Sequence, residues 1–359
     1  MNNIRHFLMS STALMLFGGI VSPAAAAEVE KTMSVSGHIN RAIVVSDDGK
    51  STTVGQIDNT EVAGSRFRID AAAKSESMTI SAWTEVGVQA NGALSSKADS
   101  STTSLNLRHS AISVANTMGT LVVGHTSTAD DGFLGNNLSG AGNAGFYDGA
   151  TIGGETMHVS GATATTTGPS VLSILQFFDG GRSSNIKYTT PKMGGFTGVV
   201  GHSESDHGSA RLNYAADYDG TKVAASAGWG SRGATSSIDH EWGGSMAVSL
   251  AGGLNGSLAY SKSNLNGNVA ANTGLADPEM WGVSLGYTMG MNGISAWYQN
   301  VQDLGANGNE AKTYALVAEH KMPDYGAAIY GGIQNVEYDV TGTNYDDLTA
   351  GWVGIRVAF

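Results

Sequence analysis

The most constraining feature of this chain is a two-residue alternation that returns in segment after segment. In residues 65–74, Phe67, Ile69, Ala71 and Ala73 share one face, and Arg66, Arg68, Asp70 and Lys74 share the other. In 77–89, Met78, Ile80, Ala82, Val86 and Val88 alternate with Thr79, Ser81, Trp83, Glu85 and Gln89. Period 2 is strand geometry. It predicts sixteen strands, over 33–46, 64–74, 77–91, 103–115, 119–126, 182–191, 195–204, 208–219, 221–231, 239–251, 254–264, 279–290, 293–304, 310–321, 325–338 and 348–359. Each is about long enough to cross a bilayer when tilted. Short turns, such as Pro191–Gly195 and Gly290–Gly293, alternate with longer polar links at 47–63, 91–102, 265–278 and 339–347. Charges opposite a row of apolar residues cannot face lipid cheaply and must face water. The expected fold is all-β: an antiparallel transmembrane barrel of about 16 strands. One strand dissents. Arg41 falls on the parity of Val35, Ile39, Ile43 and Val45, so either a bulge shifts the register or Arg41 faces a neighbouring subunit.

Export fits this reading. Residues 1–27 have a short polar start with Arg5, an apolar run from Phe7 to Val21, and Ala24–Ala27. That is the pattern of a secretory signal peptide cut after Ala27, leaving 28–359 as the barrel domain. No stretch of 28–359 resembles a membrane helix, and a closed barrel is the other structure that satisfies its backbone in lipid. Pro, which removes a ladder donor, occurs only 5 times. The absence of Cys excludes a disulfide scaffold and most structural zinc sites. The His residues lack zinc-ligand spacing, and no cofactor is expected. A formal net charge of −12 repels nucleic acid. Gly140–Gly145 fits G-x-G-x-x-G but follows no strand-to-helix turn, and Gly282–Gly286 fits G-x-S-x-G inside an alternating strand. Neither motif supports an enzyme.

Residues 126–181 break the rhythm, far beyond ordinary loop lengths. The segment holds Asp130, Asp131, Asp148, Glu155 and Asp179, no Lys or Arg, and an apolar patch from Val171 to Phe178. A loop this long with core-like residues must pack on something, and in a barrel the available place is the lumen. Folded in, it would narrow the pore and present carboxylates, with Asp130, Asp131, Asp148 and Glu155 as the candidates. Arg66, Arg68 and Arg108 would supply cations from the wall. Size and polarity filtering follow from pore radius and lining charge. The overall acidity suggests a weak cation preference, although bulk charge is a poor guide to a pore. A channel selective for sugars or another solute is the alternative. It would need an aromatic track along the lumen, where only Trp83 and Trp352 have inward parity. Asp47-Asp48, Asp130-Asp131 and Asp346-Asp347 read as external acidic pairs able to bind divalent cations that bridge lipopolysaccharide. Tyr260, Tyr287, Tyr298, Tyr330 and Tyr338 read as interfacial girdle residues.

Several segments carry a family resemblance. They are Gly64-Ser65-Arg66-Phe67-Arg68, then Leu107–Val114 followed by Gly119–His125, and Arg182-Ser183-Ser184-Asn185-Ile186-Lys187-Tyr188-Thr189-Thr190-Pro191 continuing to Gly194-Gly195-Phe196. The chain closes on Val353-Gly354-Ile355-Arg356-Val357-Ala358-Phe359. In this order and spacing they resemble the general diffusion porins of Gram-negative outer membranes. The resemblance implies a trimeric outer-membrane channel passing small hydrophilic solutes and ions, seated in lipid and lipopolysaccharide. It implies that Arg108 and Arg182 belong to a basic wall, that 126–181 is the constriction loop, and that Phe359 is the signal read by the barrel assembly machinery. Two positions depart from the family pattern. His125 stands where Arg is common, and Gly145-Phe146-Tyr147-Asp148-Gly149 replaces the usual loop tip.

Overall fold

The alternating strands close on themselves. In a computed structural model, residues 29–57, 64–89, 104–147, 150–162, 167–233 and 236–359 are described. The first strands are β1 (Glu30–Asp47), β2 (Thr52–Ile57), β3 (Arg66–Lys74), β4 (Thr79–Gln89), β5 (Ser104–Asn116) and β6 (Gly119–Ser127). Two short strands, β7 (Thr156–Val159) and β8 (Thr167–Ser170), precede β9 (Arg182–Thr189), β10 (Phe196–Ser203), β11 (His207–Tyr218) and β12 (Thr221–Ser231). There follow β13 (Ile238–Ser249), β14 (Leu254–Leu265), β15 (Glu279–Met289), β16 (Asn292–Gln302), β17 (Glu310–Met322) and β18 (Ala327–Val340). Last come β19 (Thr343–Asp346) and β20 (Leu348–Ala358). Setting aside β2, β7, β8 and β19, sixteen antiparallel strands form the closed wall.

Closure joins β1 to β20, from His38↔Ala358 to Asp47↔Thr349. At the seam Gly37 N donates to the Phe359 carbonyl at 3.0 Å, and Phe359 N donates to the Gly37 carbonyl at 3.0 Å. The other edge of β1 is shared by two strands. Glu30–His38 pairs with β3, and Ala42–Asp47 pairs with β2. The link read as a loop over 47–63 therefore contains a strand. Its Thr-Thr-Val stretch suits a pleated surface and has the upper part of β1 as a template. The register of β1 on β20 is continuous, with Arg41 opposite Ile355. No bulge displaces Arg41, which shares the outward parity of Ile39, Ile43 and Val45.

The wall has two unlike faces. Outward residues such as Ile69, Leu212, Leu258, Leu285 and Leu316 are exposed and apolar, as a lipid-facing surface requires. Tyr260, Tyr287 and Tyr298 share the outward parity of their strands. Tyr330 and Tyr338 do not. They point inward, where Tyr330 is buried and bonds Asn40 and Tyr338 stacks on Tyr345 at 5.1 Å. Parity along β18 decides this, and the residue type alone could not.

The hydrophobic core lies inside the barrel. It is made where the segment between β6 and β9 folds in against the wall. Phe133, Leu134, Tyr147, Ile152, Met157, Val171 and Leu175 are fully or almost fully buried. Burying each large apolar side chain contributes about 1.5–3 kcal/mol, which offsets part of the entropy of ordering a long loop. The segment carries a single-turn helix, α1 (Val171–Ile174), and β7, which adds to β19 through Tyr345↔Val159 and Asp346↔His158. A second short helix, α2 (Gly267–Thr273), lies between β14 and β15.

Candidate functional site

The in-folded segment covers one arc of the lumen and leaves the other open. Its hydrogen bonds run around the wall from β11 to β20. Ala129 N donates to Ser209 Oγ at 3.2 Å, and Asn136 Nδ2 donates to Ser226 Oγ at 3.0 Å and Ser245 Oγ at 2.9 Å. Thr288 Oγ1 donates to the Ser139 carbonyl at 3.0 Å, and Asn143 Nδ2 to Glu319 Oε1 at 2.7 Å. Trp352 Nε1 donates to the Ala144 carbonyl at 3.0 Å. Glycines on the facing wall make room for the bulky anchors. A Cβ at Gly282 would stand 2.7 Å from Tyr147 Cδ2, so the ring lies flat on bare backbone. The strands β3 to β6 form the uncovered side.

That uncovered side carries a cluster around one carboxylate. Arg108 Nε donates to Glu85 Oε1 at 2.8 Å and Arg66 Nη1 to the same oxygen at 3.2 Å. Arg68 Nη1 lies 3.7 Å from Glu85 Oε2 and His109 Nε2 4.0 Å from Oε1. Arg68 also forks onto Asp70 at 2.7–2.9 Å, and its guanidinium sits 5.5 Å from the Trp83 ring centre. A bulge builds this arrangement. Glu85 pairs with His109 but Val86 pairs with Leu107, so Arg108 is the extra residue. An extra residue breaks strict alternation, which lets Arg108 and His109 both face the lumen. Arg66, Arg68 and Arg108 are thus brought together on one wall. Glu85, which the alternation placed inward, is the acid at their centre.

Arg182 opens β9 opposite Ser127, on the outward parity of Ser184 and Ile186, and is exposed, but its charge is close enough to act on Arg66 and His109 of the cluster. Asn185 and Lys187 take the inward parity of that strand. Lys187 Nζ donates to the Ser127 carbonyl, and Arg211 on β11 donates to the Asp131 carbonyl. Lys187 and Arg211 are lumenal cations that the motif reading missed. Parity within β9 and β11 was the available signal. His125, opposite Ser110, is on the outward face and is not part of the cluster.

The acidic candidates part ways. Asp130 is fully buried at the root of the segment, so it does not line the pore. Thr128 Oγ1 donates to Asp130 Oδ1 at 2.6 Å, and His207 Nε2 lies 3.1 Å and Arg232 Nη1 3.8 Å from Oδ2. Burial pushes the Asp130 carboxyl up, but the His207 and Thr128 hydrogen bonds outweigh it and leave it below its ordinary value. Arg232 also donates to Glu241 and to the Asp179 carbonyl, the latter at 2.8 Å, so it staples both ends of the segment to the wall. Burial, and then the charge of Asp131, push Asp179 well above the usual carboxylate range. Glu155 is also not lumenal. It is buried within the segment, close to Ile152 and Val171. The chain reversal through Ile152–Glu155 turns it toward the core, with Val171 N donating to its carbonyl at 2.8 Å. Asp148 lies outside the described residues, as do residues 1–28. Among the described residues, Asp131 is the loop candidate that is not fully buried, half-buried beside Arg211 and Lys187.

The external acidic pairs are engaged locally. Asp48 accepts from Ser51 N at 2.8 Å and Lys50 N at 3.1 Å. Asp346 accepts from Ser160 and lies 2.9 Å from His158 Nδ1. Among the described residues no group of three or more His, Cys, Asp or Glu is arranged to hold a metal ion. The pair Asp130-Asp131 is not external at all, because its segment is inside the barrel. Trp352, one of the two inward tryptophans, is buried under Ala144, so Trp83 alone of the pair borders open lumen.

Residues 10–341 match the family model described as Gram-negative porin. Among solved structures, the anion-selective porin from Comamonas acidovorans superposes with a TM-score of 0.62 at 15% identity, covering 92% of this chain and 100% of that one. OmpT of Vibrio cholerae, in its trimer form, gives 0.57 at 15% identity, covering 92% and 99%. The outer membrane channel DcaP of Acinetobacter baumannii gives 0.58 at 12% identity, covering 92% and 97%. A comparison with curated protein sequences finds no match.

Proposed function

The chain belongs to the Gram-negative porins, a multi-pass β-barrel of the outer membrane forming a channel for diffusion, and from that premise we propose a finer reading of what it passes. The channel admits small hydrophilic solutes and ions, with a weak preference for anions. The observation that carries this is the lining charge. Among the described residues, Arg66, Arg68, Arg108, Lys187 and Arg211 face or border the lumen, against Asp70, Glu85 and Asp131. The loop carboxylates that would have opposed them, Asp130 and Glu155, are buried. Lining charge near the narrowest point governs selectivity more than the acidity of the whole chain. A sugar-selective channel has less support, because Arg68 already lies over the face of Trp83.

The chain assembles as a homotrimer, a reading supported by the trimer form of the Vibrio cholerae neighbour. Lipid and lipopolysaccharide surround it, and Phe359 is the residue read by the barrel assembly machinery. Its position at the closing seam supports that role. Planar-bilayer recording of the purified protein tests the channel reading. Stepwise conductance with a reversal potential favouring chloride over potassium is expected. A cation preference would overturn the selectivity, and liposome swelling confined to one sugar would favour the selective alternative.

A further inference from the structure

The in-folded segment does not stay wholly inside the barrel. Its strands β7 and β8 pair antiparallel, and β7 adds to β19. β19 lies in the link between β18 and β20, at the end of the barrel away from the short turns. One side chain of that link gathers the pieces around it. Asp346 Oδ2 lies 2.9 Å from His158 Nδ1, and Ser160 Oγ donates to Oδ1 of the same carboxylate. Ser160 N donates to the Asn344 carbonyl at 2.9 Å. The turn between β1 and β2 closes over the same side chain. Gly49 has φ +81, and a Cβ there would run into Asp346. The next residue, Lys50, donates from Nζ to the Ala162 carbonyl at 2.9 Å. Two links at the external mouth therefore grip one part of the segment, at His158, Ser160 and Ala162.

Short connections carry the grip inward. Val171, which follows β8, donates its N–H to the carbonyl of Glu155, which precedes β7, at 2.8 Å. Leu172 N donates to the Gly153 carbonyl at 2.9 Å. Met157, the neighbour of His158, is buried in the same core as Ile152 and Val171. His158 is only 9% exposed, so its ring cannot swing away while β7 stays on β19. Close-packed side chains move together or not at all. A shift of β7 away from β19 therefore carries Ile152, Met157 and Val171 with it.

We propose that Asp346 is a positioning residue of the channel: from the external mouth it holds the in-folded segment against the wall, and so sets how steadily the lumen stays open. It touches no solute in the pore and acts through His158 and Ser160. The inference rests on the channel reading above and gives the link between β18 and β20 a part in it. Whatever draws Asp346 away at the cell surface loosens the segment within.

Single-channel recording of Asp346→Ala tests it, with heat-modifiability on gels reporting the folded barrel. The variant should spend about ten-fold more time below the wild-type open level, the factor for one lost charge-assisted hydrogen bond. A variant as steady as wild type overturns the proposal. A wild type without stepwise conductance overturns the channel reading instead. The double variant His158→Cys/Asp346→Cys gives the second measurement, and carries the test alone should Asp346→Ala fail to fold. The chain has no other Cys. His158 and Asp346 are register partners on β7 and β19, which puts their Cα atoms within disulfide reach. Oxidised, the pair should hold the wild-type open level. Dithiothreitol added to the same channel should bring the excursions back, a reversal that a general loss of stability would not show. Excursions indifferent to the reductant overturn the proposal, and thiols that do not oxidise overturn the contact on which it stands.

Discussion

Arg108 Nε donates to Glu85 Oε1 at 2.8 Å from a bulge residue, and the same oxygen takes Arg66 Nη1 at 3.2 Å. One carboxylate therefore offsets much of the charge of the cationic wall, and does so from within that wall. The field at this point runs along β3–β5 as well as across the pore. Glu85→Gln keeps the side-chain shape and removes the counter-charge. Anion preference should rise by about five-fold in permeability ratio, which is roughly 1 kcal/mol at the constriction. The effect should shrink as salt rises, because mobile ions screen lining charge. Reversal potentials across a salt gradient measure it, and an unchanged ratio would show that the cluster does not set selectivity.

Asp130 is a fastening, and its substitution should behave as one. It is fully buried and bonded to Thr128, with His207 at 3.1 Å. Removing one member of a buried charged group leaves the others without compensation and costs about 3 kcal/mol. In Asp130→Ala the in-folded segment should detach more often, giving noisier single-channel currents and chymotrypsin cleavage at sites such as Phe133. Ion selectivity should stay near wild type. A large selectivity shift without added noise would return Asp130 to the pore lining.

Asp179 gives the opposite pH dependence from Asp130. Its carboxyl is raised by burial and by Asp131, so the native state holds the proton more tightly than the unfolded one. Attachment of the segment then weakens as pH rises from the ordinary carboxylate range toward the raised value, and levels off above it. Asp130 is lowered, so its contribution is present above its ordinary value and is lost as pH falls through the depressed one. Asp179→Asn removes this pH dependence and keeps an acceptor for Gly132 N, which now donates at 3.0 Å. It should slow amide exchange in the segment at pH 7 and leave it nearly unchanged near pH 4. Faster exchange at pH 7 would contradict this reading.

Much of the barrel was legible because period 2 is a strong signal when one face meets lipid and the other water. Arg66, Arg68, Trp83 and Glu85 face the lumen as their alternation requires. The bulge at Arg108 was not legible, because adjacent inward residues look like a simple parity conflict. The segment 126–181 was recognisable as folded in from its length and its apolar patch. Which of its acids met water was not, since Asp130 is buried against His207 and Arg232, far away in sequence, and Glu155 by a tight chain reversal, and composition records neither. Arg182 has outward parity at the start of β9, yet its charge acts on Arg66 and His109 of the cluster, so alternation alone did not place it.

Tyr147 lies on the bare backbone of Gly282, and its hydroxyl donates to the Leu134 carbonyl at 3.3 Å. It also contacts Phe146, with ring centres 3.8 Å apart, so one aromatic pair holds the middle of the segment against β15. Gly282 has no positive φ, so a substitution there acts through space and not through backbone strain. Gly282→Val would place branched carbons where the Tyr147 ring now lies. Overpacking of this kind costs about 1–3 kcal/mol. The wall cannot yield outward without breaking its ladder with β14 and β16, so the segment must move toward the lumen. Single-channel conductance should fall while the barrel stays folded. Unchanged conductance would mean that Tyr147 can swing aside without moving the segment, and increased conductance would mean that the segment leaves the lumen when its aromatic anchor is lost.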